Sequence, residues 1–150
     1  MTDHKWWGSP EVFPNERPAF KIDAAHPGSD LAAEASAALA SSSLLFRASD
    51  PAYADNCLKH ARELYAFADK HRGLYHEAIP DAVDFYKSWS GYIDELAWGA
   101  LWLYIATNDQ TYLSKAEELY KDLSKEPQST TPKYKEALSW DDKTYGCYVL

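Results

Sequence analysis

Two kinds of hydrophobic pattern alternate along the chain. From Leu31 to Phe46 small and apolar residues occupy nearly every face of a helix, with Ser29 and Asp30 before them as candidate caps, so a buried helix is expected over 31–46. Asp50-Pro51 then offers a cap followed by proline at the first helical position. Tyr53, Cys57, Ala61, Leu64, Tyr65 and Ala68 recur at helical spacing until His71-Arg72-Gly73, which predicts an amphipathic helix over 51–71. After a connection over 73–90 the order returns: a nearly all-apolar helix over 92–107, then Asn108-Asp109 and an amphipathic, charged helix over 110–124.

The two pairs share letters as well as pattern. Asp50-x-x-Tyr53 followed by Ala61-x-Glu63-Leu64-Tyr65 recurs as Asp109-x-x-Tyr112 followed by Ala116-x-Glu118-Leu119-Tyr120, with four fewer residues between the halves of the second copy. Four residues are about one helical turn, so the buried face is kept. Each unit is an apolar inner helix plus an amphipathic outer one, repeated at a period of about 59 residues. The fold class is therefore all-α, with about two helical hairpins plus long loops. Long irregular connections suit a closed α/α toroid better than an open solenoid, and two units cannot close a ring.

The remaining segments read differently. Residues 1–29 hold Pro10, Pro14, Pro18 and Pro27, a density that excludes a long helix and predicts an extended segment over a preformed surface. Residues 125–139 are a polar connection, and Trp140 to Leu150 opens another apolar segment. With 150 residues, 46% hydrophobic and 25% charged, the chain suits one packed core. The longest apolar run, 96–106, is far shorter than the roughly 20 residues that span a bilayer. The N-terminus lacks the apolar stretch of a signal peptide, which bears on localisation only if Met1 is a native start.

Charge and aromatic content narrow the partners. A net charge of −8 and a pI near 5.0 argue against nucleic acid and anionic membranes, both of which call for a basic patch. Aromatic residues reach 15%, with 6 Trp and 11 Tyr, more than a small helical core needs and suited to flat, partly apolar ligands such as carbohydrate. Cys57 and Cys147 form no disulfide framework or zinc-ligand spacing.

Candidate chemistry concentrates between Phe85 and Glu95. Phe85, Tyr86 and Trp89 precede a Ser90-Gly91 turn, and Asp94 and Glu95 fall in the first turn of the apolar helix. Two readings fit. In one, the carboxylates only complement the helix dipole and the rings belong to the core. In the other, the rings are a stacking wall, and the Ser90 and Gly91 carbonyls with both carboxylates are hard oxygen ligands of the kind Ca²⁺ takes. His4 and Trp7 place an imidazole three residues from an indole, a pairing able to bond and stack on one ligand.

The motifs Asp3-His-Lys-Trp-Trp-Gly, Glu16-Arg-Pro, Pro27-Gly-Ser-Asp-Leu-Ala-Ala-Glu34, Asp50-Pro-Ala-Tyr, Phe85-Tyr-x-Ser-Trp-Ser-Gly-Tyr-x-Asp-Glu-Leu and Trp140-Asp-Asp-Lys-x-Tyr-Gly together resemble glycoside hydrolase family 9, the endoglucanases and cellulases. The resemblance covers essentially the whole chain. It implies part of an (α/α)6 barrel, the middle portion of the catalytic domain with both ends missing. It also implies secretion and hydrolysis of β-1,4-glucosidic bonds in cellulose or another β-1,4-glucan by an inverting two-carboxylate mechanism.

By position, His4 and Trp7 resemble residues lining the glucan cleft, and Phe85, Tyr86 and Trp89 resemble those that stack on or bond to successive glucose units. Ser90, Gly91, Asp94, Glu95 and Asp141 resemble a structural calcium site present in many members, with no cofactor for catalysis. Glu136 stands where some members have a cleft tryptophan. The family's base lies in an Asp-Ala-Gly-Asp motif and its acid in an Asn-Glu motif, and this sequence contains neither. Residues 1–150 alone are accordingly expected to be inactive. A helical-repeat protein-interaction module is the alternative from another class, disfavoured by the long aromatic loops; a non-catalytic carbohydrate-binding domain is disfavoured because such domains are mostly β-sandwiches.

Overall fold

The computed structural model describes residues 5–14, 16, 18–125 and 138–150. Four long helices dominate: α1 (Ser29–Phe46), α2 (Pro51–Lys70), α5 (Ile93–Thr107) and α6 (Gln110–Tyr120). The expected 73–90 connection is not irregular throughout. It carries the short helices α3 (Tyr75–Ala78) and α4 (Val83–Tyr86), separated by a 3-10 turn at Pro80–Ala82, where proline occupies a first-turn position that needs no N–H donor. A last helix, α7 (Thr144–Val149), follows Lys143. Among the described residues there is no β-strand, and no helix is long and apolar enough to cross a membrane.

Helices α1 and α2 form one hairpin and α5 and α6 the other, with α1 packed against α5. Both outer helices start as the repeat predicts. Asp50 Oδ1 accepts the Tyr53 amide at 3.0 Å, and Asp109 Oδ1 accepts the Thr111 amide at 3.0 Å, each satisfying a first-turn donor. The expected cap of α1 is corrected. Gly28 holds the N-cap position, while Ser29 and Asp30 lie inside the first turn and are buried. Ser29 Oγ instead donates to the Ala68 carbonyl at 2.8 Å, one of the orphan acceptors at the end of α2, and so joins the two ends of the hairpin.

Small residues let the inner helices approach. Ala33, Ala37 and Ala40 on α1 are buried, with Leu96, Ala97, Ala100 and Leu103 on α5. At Gly99 a Cβ would sit 3.1 Å from the Ala33 carbonyl oxygen and 3.2 Å from the Tyr65 ring, which explains glycine in an otherwise apolar helix. The outer helices meet through Tyr65 and Tyr112, whose rings pack edge to face at 5.7 Å. The buried Tyr65 hydroxyl has no hydrogen-bond partner among the described residues.

Candidate functional site: an exposed aromatic wall beside a cavity

Trp89, Phe85 and Tyr86 are 76%, 46% and 48% exposed, which overturns the reading of these rings as core. The chain turns the site outward by consuming the loop backbone inside. Asp141 accepts the Trp89 amide at 3.0 Å through Oδ1 and the Ser90 amide at 3.2 Å through Oδ2, and Ser90 Oγ donates to the Asp141 carbonyl. Ser88 Oγ donates to the Gly91 carbonyl at 2.6 Å, and Gly91 adopts φ +98°, a conformation that favours glycine. With its backbone held, the Trp89 indole projects outward, and Lys87 Nζ lies 5.0 Å from the ring centroid.

Trp140 joins this wall, packing edge to face on Tyr86 at 6.2 Å. Its segment is fixed by Lys143, a buried cation whose Nζ donates to the Ser139 and Trp140 carbonyls at 2.7 and 2.9 Å and pairs with Glu34 at 3.6 Å. Tyr86 and Trp140 line a cavity of about 240 Å³ together with Asp30, Leu31, Glu34, Tyr75 and Glu95, among others, and its open surface is mostly apolar. Carboxylates and tyrosines below aromatic faces can bond the rim of a ring bearing many hydroxyls while its flat face stacks. Trp7 is 95% exposed, too exposed to pack on this wall, and His4 and Glu136 lie outside the described residues.

Asp94 and Glu95 do more than cap α5. They are 2% and 4% exposed, and Asp94 Oδ2 accepts the Lys143 amide at 2.8 Å, from a segment 49 residues away. Burial raises the Asp94 carboxyl, and burial together with the Asp94 charge pushes Glu95 up to about 10. The two side chains lie against each other, while Asp94 Oδ1 and Glu95 Oε2 receive no other donor among the described residues. A shared proton or a bound cation can satisfy that pair, so these two residues fit a cation site. Asp141 accepts the Trp89 and Ser90 amides through its carboxylate. Among the described residues no three His, Cys, Asp or Glu side chains gather at metal-binding distance.

Several contributors escaped sequence reasoning. Tyr75, His76, Ser88 and Lys143 support the wall; Ser88 and Lys143 stand in the quoted motifs, but nothing there gave them this role.

Comparison with known proteins fits this geometry. The family description "Glycosyl hydrolase family 9" matches residues 1–150. The chain is 55% identical over 148 residues to Endoglucanase B of Cellulomonas fimi, covering 99% of the chain and 14% of that protein. Its identity to Endoglucanase 13 of Arabidopsis thaliana is 48%, covering 99% of the chain and 28% of that protein. Among solved structures, an endoglucanase from the termite Nasutitermes takasagoensis superposes with a TM-score of 0.87 at 48% identity, over 97% of this chain and 32% of that one. Endoglucanase CelQ from Clostridium thermocellum, complexed with cellotriose, gives 0.84 at 37% identity over 97% and 23%. The chain thus spans less than a third of each of these relatives. Matched over residues 1–150 in sequence and over 97% of its length in shape, it belongs to glycosyl hydrolase family 9, and its two hairpins are part of that family's (α/α)6 barrel.

Proposed function

We propose that this chain is part of an endo-1,4-β-glucanase that hydrolyses cellulose or a related β-1,4-glucan by inversion, and that it contributes cleft wall rather than the catalytic acid and base. The observation that carries the reading is the Tyr86–Trp140 ring pair lining an open cavity, with the exposed Trp89 ring three residues on from Tyr86 in the same loop. An insoluble polymeric substrate places the work outside the cell. His4 and Trp7 extend the same cleft in this reading.

Asp94 and Glu95 are poor candidates for the acid/base pair. Inversion requires carboxyl groups roughly 6.5 to 9.5 Å apart, with a water and the scissile bond between them. These two lie against each other, and one is tied to the Lys143 amide. Their chemistry suits Ca²⁺, held by both carboxylates and the Ser90 and Gly91 carbonyls. Asp141, whose carboxylate oxygens keep lone pairs free beside the two amides they accept, completes that set. The ion would neutralise buried charge and fix the start of α5 beneath the wall.

The test is cellotetraose binding by the whole protein that carries this chain, beside its Trp89→Ala and Tyr86→Ala variants. Removing one stacking ring is expected to weaken binding by roughly 1 kcal/mol, about fivefold. Unchanged affinity in both variants would remove the cleft assignment.

A further inference from the structure

The Trp89 loop hangs from a buried histidine as well as from Asp141. His76, on α3, is 7% exposed, and its Nδ1 accepts the Ser88 amide at 3.2 Å. Accepting at Nδ1 leaves the ring's single proton on Nε2, so the neutral form with that tautomer is the one the loop requires. The residue before it works in parallel: Tyr75 Oη donates to the Tyr86 carbonyl. Two consecutive residues of one short helix thus hold the chain on either side of Lys87, the backbone from which Tyr86 and Trp89 project. Ser88, itself buried, passes the constraint on by donating to the Gly91 carbonyl.

We infer that His76 is a positioning residue for glucan binding: its Nδ1, by taking the Ser88 amide, sets the direction in which the Trp89 ring meets the sugar. This rests on the cleft reading of Trp89 given above. The imidazole touches no substrate. It removes a backbone donor that would otherwise be buried without a partner, and fixes the loop one residue before the Trp89 amide that Asp141 holds. Affinity should therefore depend on an acceptor at the Nδ1 position rather than on the imidazole as such.

Two uncharged variants separate these possibilities. His76→Asn puts an amide oxygen near the place of Nδ1, whereas His76→Gln puts it near the place of Nε2. In the whole protein acting on cellotetraose, His76→Asn is expected to keep KM within about twofold of the parent. His76→Gln should raise KM about 5- to 10-fold, with kcat changed less than twofold. Hydrogen exchange at the Ser88 amide should follow the same split, protected in the Asn variant and fast in the Gln variant. Equal KM values for the two variants, or a fall in kcat with KM unmoved, would overturn the assignment. Trp89→Ala is the control on the underlying reading. If it leaves KM unchanged the cleft assignment fails, whereas a raised KM there with no Asn–Gln split defeats the role of His76 alone.

Discussion

The carboxylate of Asp141 takes the backbone amide of Trp89 at 3.0 Å, although 52 residues separate the two in sequence. The same carboxylate reaches Ser90, so one side chain from the loop before α7 fixes the turn that starts α5. The aromatic wall is thereby a joint product of two distant segments.

Asp141→Ala should loosen that joint. Two amides lose their acceptor, one of them exposed and able to turn to water, so the expected loss of stability is about 1 kcal/mol, near the low end for an orphaned donor. Amide exchange at Trp89 and Ser90 should accelerate together, and glucan affinity should fall with it. Denaturant melts and exchange mass spectrometry check this; unchanged protection at both amides would contradict the clamp.

The buried acid pair gives a pH dependence with a definite sign. Glu95 is pushed up to about 10 from an ordinary value of 4.5, and Asp94 is also raised, so without metal the folded state prefers the protonated pair. That contribution is fully present below about pH 4 and is lost as pH rises toward 10. Calcium should act in the opposite direction, stabilising more at pH 8 than at pH 5 and releasing protons as it binds. Thermal melts in chelator and in calcium at the two pH values test this, with Asp94→Asn/Glu95→Gln expected to flatten both dependences. A calcium effect of equal size in that double variant would place the ion elsewhere.

Gly91→Ala tests the turn itself. A Cβ there meets open space, so any cost comes from φ +98° alone and should be about 1 kcal/mol, read as a lower Tm. A melt unchanged within error would show that the turn relaxes.

What was legible in the sequence follows from range. Asp50 and Asp109 act within one helical turn of themselves, and their role in starting α2 and α6 could be read locally. Ser29 looked equally like a cap, but its partner is the end of α2, 39 residues on, and no local pattern distinguishes the two uses. The rings at 85–89 had the composition of either a core or a cleft. What turns them outward is the removal of the Trp89, Ser90 and Ser88 amides to Asp141 and His76, all contacts across the fold. The Asp94–Glu95 pair was visible as adjacent letters, whereas its burial beneath the Lys143 segment was not.

The hydroxyl of Tyr65 gives the fold a reserve of another kind. The ring is needed, since it fills the space against Gly99 and meets Tyr112, but its oxygen is buried without a partner among the described residues. An unmatched polar group of this sort costs on the order of 1–3 kcal/mol, so Tyr65→Phe should raise the melting temperature rather than lower it. Subtracting a single atom far from the cleft is thus a route to heat tolerance that leaves catalysis alone; a lower melting temperature in the Phe variant would show that the oxygen has a solvent partner.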